Sequence, residues 1–143
     1  MTDLKDRIGE LRDIVDASTP DELPAVIARR DGGVESVVDL VFDWWRSCFA
    51  PERTLNSSGI FHYAVTTPGG STHRYVVVAE RACEIAKTVD TEPNTTITVS
   101  LNDLLSIATG KVRGTQAWRG GMLEISGDVF FAMNWSEWFV SPQ

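Results

Sequence analysis

The stretch that decides the fold is 96–111, which reads TITVSLNDLLSIATGK. Its first five residues alternate between threonine or serine and a β-branched apolar residue, which is typical of a half-buried strand over 95–100. Ser100 then begins a helix as its N-cap, with Asp103 in the capping-box position. Apolar residues follow at helical spacing: Leu101, Leu104, Leu105 and Ala108. Gly110 ends the helix as a C-cap glycine, so the pattern predicts a strand that leads directly into a short helix.

Strand patterns lie on both sides of this unit. Residues 60–66 and 72–79 are rich in Val, Tyr, Phe and Thr, and the turn sequence TPGG at 67–70 between them predicts an antiparallel hairpin. A third strand is predicted over 81–87. Downstream, 122–126 alternates as a half-buried strand does.

Three helical segments complete the pattern. Residues 34–49 have a broad apolar face, 114–118 form one helical turn, and Asp128 is a plausible N-cap for a last helix over 129–139. The resulting order of helices, four strands, helix, strand and helix predicts an α+β domain. We expect its strands to follow one another in a meander, within a single sheet covered on one face by helices.

The first 33 residues form a separate pattern. An apolar stripe of Leu4, Ile8, Leu11 and Val15 predicts a helix that packs on the domain or on a second copy. Thr19 caps a second short helix, and the break at Gly32–Gly33 suggests a boundary. We therefore divide the chain into an N-terminal helical extension, 1–33, and a domain, 34–143. We expect the extension to be dispensable for folding and consider it a surface for a partner protein or for self-association.

Composition limits the function classes. Thirteen Lys and Arg against twenty Asp and Glu give a net charge of −7, so we expect no nucleic-acid partner. No apolar run is long enough to span a bilayer, and the first twenty residues lack the apolar core of a signal peptide. We therefore predict a soluble, cytoplasmic protein, whose two cysteines, Cys48 and Cys83, are reduced and buried.

The strongest clue to function is the order of motifs in the second half of the chain. The strand–helix unit ending in Gly110-Lys111 is followed by Trp118-Arg119 and then by GMLEISGD at 121–128. This succession resembles the sterol carrier protein type-2 family, in which a Ser-x-x-Asp-Leu-Leu helix ends in Gly-Lys and a Gly-x-Leu-x-Ile-x-Gly-Asp strand follows. The likeness extends over 34–139 and leaves the extension outside it.

The resemblance implies a five-stranded, mainly antiparallel sheet with helices on one face and an apolar tunnel between them. Members of the family bind sterols, fatty acyl chains or other lipids, and they share no catalytic residues. It therefore implies a carrier with no cofactor and no resident metal, whose partner is an apolar small molecule.

Surplus aromatic residues on the helices suggest which side chains contact that ligand. Trp44 and Trp45 project about 100° apart on a helix and cannot share one core position. The cavity residues we predict are Val41, Trp45, Phe49, Leu104, Ile107, Trp118, Phe131, Trp135 and Trp138. A basic cluster around Trp118, made of Lys111, Arg113 and Arg119, is assigned to the cavity mouth or to a transient membrane contact, with a solvated loop as the alternative.

Polar residues that invite a catalytic role have simpler explanations. Ser100 and Asp128 are read as helix caps. His62 and His73 lie on the two arms of the hairpin and could approach each other, but no Asp or Glu lies between Glu52 and Glu80 to complete a metal site. We predict a carrier of a hydrophobic small molecule. Two alternatives stay open: an enzyme that shapes an apolar substrate in the same cavity, and an accessory protein that delivers such a molecule to a partner enzyme.

Overall fold

Five strands pair into one mixed sheet in the computed structural model, which describes residues 4–30 and 32–139. The strands are β1 (Gly59–Thr67), β2 (Gly70–Ala79), β3 (Ala82–Ala86), β4 (Thr95–Ser100) and β5 (Leu123–Gly127). The six helices are α1 (Leu4–Ala17), α2 (Leu23–Ala28), α3 (Gly33–Ser47), α4 (Leu101–Ala108), α5 (Gly114–Arg119) and α6 (Val129–Trp138), with a short 3-10 turn at Pro51–Arg53. The predicted α+β class and five-stranded sheet are confirmed.

The strand order, β3-β2-β1-β4-β5, departs from the expected meander. Strands β1, β2 and β3 do follow one another as antiparallel neighbours, but β4 pairs in parallel with β1. Residues 87–94 therefore carry the chain from one edge of the sheet past β2 and β1. Asn94 fixes the new position, since its backbone N–H donates to the Ile60 carbonyl (3.0 Å) and its side-chain oxygen accepts from the Ile60 N–H (2.9 Å). Turn residues predict a hairpin between neighbouring strands, but they do not predict a crossover such as this one. The expected meander was therefore wrong at β4.

Side chains of the strands alternate between the two faces of the sheet. On β1, the buried residues are Phe61, Tyr63 and Val65, and the residues between them are at least partly exposed. The same alternation on β4 buries Ile97 and Val99. The helices pack on this inner face, so one side of the sheet forms the core and the other faces solvent.

The caps of α4 and α6 form where the sequence predicted them, whereas Thr19 accepts from the Glu22 N–H (3.2 Å) in a turn that precedes α2, which begins at Leu23. The Ser100 hydroxyl accepts from the backbone N–H of Asp103 (3.2 Å), and the Asp128 carboxylate accepts from that of Phe131 (2.9 Å). Gly110 follows α4 with φ 85°, the left-handed conformation that a C-cap glycine supplies. None of the described helices is long and apolar enough to cross a membrane.

The N-terminal helices contribute to the main core. Within α1, Ile8, Leu11 and Val15 are buried, and Leu23 and Ile27 of α2 are buried with them. The apolar stripe of α1 thus packs on the domain, against α3 and α4. The division at Gly32–Gly33 stays a prediction. Removing α1 and α2 there would expose the core residues against which their buried side chains pack.

A buried cation ties the sheet to α3. Arg74 on β2 is only 2% exposed, and its guanidinium contacts two carboxylates on α3, Asp39 (2.9 Å) and Glu35 (3.2 Å). It also donates to the hydroxyl of Thr72 (3.0 Å). A hydrogen bond from that hydroxyl and then one from Arg74 hold the pKa of Glu35 below its usual value. This network fixes the position of α3 over the sheet.

Candidate functional site

A cavity of about 770 Å³ lies between the inner face of the sheet and the helices. Its volume falls within the range of ligand pockets, roughly 300–1,000 Å³. Strands β1, β4 and β5 form its floor, and α3, α4 and α6 form its walls. Helix α1 and the segment that contains α5 complete it.

Buried and half-buried side chains line the interior, and nearly all of them are apolar. They are Ile8, Trp44, Trp45, Cys48, Tyr63, Ile97, Val99, Leu104, Ile107, Ala108, Val112, Leu123, Ile125, Ala132, Trp135 and Phe139. Such a surface binds apolar matter by excluding water and contributes little directional recognition.

The two ionisable groups of this interior are held neutral. Burial raises the pKa of the Cys48 thiol, and burial also raises the pKa of Tyr63 well above its usual value. Within the described part of the chain, no Asp, Glu, Lys or His lines the cavity. The interior therefore carries no charge near neutral pH.

Exposed lining residues mark the mouth of the cavity, and they are chemically different. They are Arg12, Gly110, Arg113, Gly114, Thr115, Trp118, Met133 and Ser136. Two guanidinium groups make this opening cationic on a chain whose net charge is −7. Arg12 is held in place because its Nε donates to the carbonyl of Thr109 at the end of α4 (2.8 Å).

Five of the nine predicted cavity residues line this space: Trp45, Leu104, Ile107, Trp118 and Trp135. The other four belong to the packing around it. Val41 is a fully buried residue of α3, and Phe49 packs on Phe139 with ring centroids 5.3 Å apart. Phe131 and Trp138 pack on Phe61, at 4.6 and 5.8 Å.

The predicted basic cluster separates into three environments. Arg113 lines the mouth of the cavity. Lys111 forms an ion pair with Asp16 of α1 (3.4 Å). Arg119 is exposed at the end of α5, next to Trp118 in sequence, and does not line the cavity.

An aromatic cluster supports the cavity wall on α6. The indole of Trp135 stacks on Phe139 at 3.9 Å and meets the edges of Trp45 (5.3 Å) and Tyr63 (5.0 Å). The end of α6 is fixed as well, because the Ala50 N–H donates to the Trp138 carbonyl (2.7 Å) and Phe49 bridges to Phe139. Trp135 thus occupies a rigid position at the cavity surface.

Sequence reasoning missed the contribution of the N-terminal helix. Ile8 and Arg12 of α1 line the cavity, although the extension was treated as separate from the domain. The apolar stripe on α1 predicted packing on the domain or on a second copy, but it did not predict a contribution to the cavity. Tyr63, Ile97 and Val99 were also missed, and strand alternation could have placed them on the inner face.

The two histidines lie on the opposite, solvent-facing side of the sheet. Nε2 of His62 and Nδ1 of His73 are 2.9 Å apart, and Thr96 and Ser71 occupy their other ring nitrogens at 3.2 and 3.3 Å. Burial, followed by the neighbouring charge of His73, lowers the pKa of His62. The residues described by the structure contain no cluster of three or more metal-ligating side chains.

Known proteins with the same fold match this chain. A family model described as the SCP-2 sterol transfer family matches residues 48–140. The solved structure of Sterol Carrier Protein 2 Like 2 from Aedes aegypti is 23% identical, with a TM-score of 0.61, and the match covers 73% of this chain and 98% of that one. Sterol Carrier Protein 2 from Yarrowia lipolytica is 15% identical, with a TM-score of 0.55 and coverages of 68% and 85%.

The fold also occurs as one part of a larger protein. A sec-alkylsulfatase from Pseudomonas sp. matches 74% of this chain with 17% of its own length, at 12% identity and a TM-score of 0.61. At these identities the structural matches show the fold alone. No curated protein sequence matches the chain.

Proposed function

This chain belongs to the SCP-2 sterol transfer family, and on that premise we propose that it binds and carries an apolar small molecule in the cavity described above. The observation that carries the proposal is the uncharged, apolar interior, which extends from α1 to α6. Family membership supports lipid binding in general. We propose in addition that the lipid binds in this cavity.

The physical basis is the removal of apolar surface from water. A ligand that buries roughly 300 Å² of apolar surface gains roughly 7.5 kcal/mol, at about 25 cal/mol per Å² and before the entropic cost of association. This gain in binding free energy does not depend on directional contacts, so the cavity suits lipids with few polar groups. The arginines at the mouth, Arg12 and Arg113, favour a ligand whose polar end stays there.

The same interior favours a carrier over an enzyme. Acid–base or nucleophilic catalysis needs an ionisable group with an accessible charged form close to the substrate. Here Cys48 and Tyr63 both have raised pKa values. The ionisable groups that lie at the cavity and keep their charge are the arginines of its mouth.

A titration with cis-parinaric acid, a fluorescent fatty acid, tests the proposal. We expect saturable binding, which Ala132→Phe should weaken at least tenfold, because this side chain lines the cavity and is 5% exposed. The matched control is Ala64→Phe, which adds the same ring on the solvent-facing side of β1. No saturable binding, or equal binding by the two variants, would contradict a ligand site in this cavity. Native mass spectrometry of the protein from its own host then identifies the bound molecule.

A further inference from the structure

Exposed apolar side chains concentrate at the mouth of the cavity. Among the described residues, the exposed large apolar side chains are Leu55, Trp118, Phe130 and Met133. Trp118 (39% exposed) and Met133 (53% exposed) both line the cavity. Phe130, 85% exposed, precedes Met133 by three residues on α6 and shares its face of the helix. Two of the four therefore lie at the cavity mouth and a third lies one helical turn away, as expected of an interaction surface.

The charge around these residues is positive, against the acidic balance of the chain. Arg12 and Arg113 line the mouth, and Arg119 follows Trp118 on α5. Neither Arg113 nor Arg119 forms a salt bridge with a carboxylate in the described part of the chain.

The carboxylates on α6 and at its start do not neutralise this surface. Asp128 is engaged as the helix cap and accepts from the Phe131 N–H (2.9 Å). Glu137 faces Arg53 on the 3-10 turn (3.9 Å). Arg113 and Arg119 therefore have no carboxylate partner in the described part of the chain and can meet an anionic surface.

We propose that Trp118, Phe130 and Met133, flanked by Arg113 and Arg119, form a docking rim for an anionic lipid bilayer. An aromatic residue such as tryptophan favours the membrane–water interface, and arginine is attracted to anionic headgroups. Docking there places the cavity mouth against the acyl region, so an apolar ligand crosses into the cavity without passing through water. The inference rests on the proposed function, since it assigns the rim to ligand exchange.

The rim favours a bilayer over a protein partner for a geometric reason. Its apolar side chains come from two separate helices, α5 and α6, and two of them also line the cavity. A fluid lipid surface adapts to such separated side chains, and a shallow insertion of about 5–10 Å accommodates them.

Sedimentation with vesicles tests the docking rim on the full chain. Vesicles of phosphatidylcholine and phosphatidylserine at 3:1 are compared with pure phosphatidylcholine at low salt. We expect the wild type to partition onto the anionic vesicles, with Phe130→Ser plus Met133→Ser reducing the partition coefficient at least tenfold. Arg113→Glu plus Arg119→Glu should abolish it, since each lost attraction near the surface is worth roughly fivefold.

Two matched controls distinguish docking at the rim from non-specific hydrophobic adsorption and from the effect of net charge. Leu55→Ser removes the remaining exposed apolar side chain, 86% exposed and outside the cavity lining. Arg29→Glu plus Arg81→Glu makes the same charge change at exposed positions away from the cavity. Both controls should bind anionic vesicles within about twofold of the wild type.

Three outcomes would overturn the docking rim: no partition of the wild type, equal partition by the rim variants, or an equal loss in the controls. Binding of a protein partner at the rim, without any binding of vesicles, would overturn it as well. Cis-parinaric acid distinguishes this failure from failure of the proposed function. If the probe still fills the cavity, only the docking rim is wrong; if the probe does not bind, the proposed function fails first.

Discussion

Two tryptophans near the end of α6 have different surroundings, one in the cavity wall and one in the core. Two single substitutions can therefore test the two roles separately. Trp135 lines the cavity, whereas Trp138, 3% exposed, packs behind it on Phe61 and Phe131. Trp135→Ala should speed the release of a bound lipid. Trp138→Ala should leave that rate unchanged while the protein stays folded.

The magnitudes follow from the contacts of each side chain. Truncating a buried aromatic residue such as Trp138 costs about 3–5 kcal/mol of stability. Trp135 contacts four aromatic rings, at roughly 0.5–1.5 kcal/mol a pair, so its loss lowers stability to a similar extent. The ligand is affected differently. If it covers roughly 60 Å² of the Trp135 ring, losing that contact removes roughly 1.5 kcal/mol, which is about tenfold in release rate.

Two measurements on each variant decide the matter. Urea unfolding followed by circular dichroism gives the stability of the empty protein. Stopped-flow displacement of cis-parinaric acid gives the release rate below the unfolding transition. Equal release rates for the two variants would refute the distinction between cavity wall and core. So would faster release from Trp138→Ala alone.

Three further predictions concern the parts of the fold around the cavity. Removal of 1–32 takes away five buried apolar side chains, roughly 1.5 kcal/mol or more each, so we expect a broad, weakly cooperative thermal melt; a sharp melt near that of the full chain would instead support a dispensable extension. The lowered pKa of Glu35 means that its carboxylate stabilises the fold above pH 4.5 and that this contribution is lost as pH falls through the lowered value; Glu35→Gln should flatten the acid side of the stability profile, and an unchanged profile would contradict this. Ser100→Ala removes the cap of α4 and should cost about 1 kcal/mol in urea unfolding, whereas an equal loss in Ser106→Ala, within the same helix, would show that the cap is not the cause.

Local chemistry made much of the fold predictable. Ser100, Asp128 and Gly110 each act on neighbouring backbone groups, so the sequence around them is enough to place a helix end. The hairpin of β1 and β2 was predicted for the same reason, since its turn sequence lies between two strand patterns. The five predicted residues that line the cavity all lie on predicted helices, and two of them, Trp45 and Trp135, lie on helices judged too apolar for one sheet to cover.

Interactions between distant parts of the chain were not predictable in the same way. The contact of Arg12 with the Thr109 carbonyl joins residues 97 positions apart, and no local pattern specifies it. The parallel pairing of β4 with β1 begins next to two hydrogen bonds between Asn94 and Ile60, and Asn94 is an ordinary loop residue by sequence. Periodicity also could not tell Trp135 from Trp138, because residues three apart share a helix face and only the surrounding rings decide which one meets the cavity.

The cavity lining begins at Ile8 and ends at Phe139, close to the two ends of the described chain. During synthesis on a ribosome, the wall is therefore incomplete until α6 has emerged, and the apolar floor of β1 and β4 is left open until then. Contacts so distant in sequence form late, because the chain entropy lost in closing the loop must be offset first. If the cavity holds a lipid, as proposed, we expect a lipid present at that stage to compete with α6 for the same surface, so that folding and the first loading with ligand are linked in time.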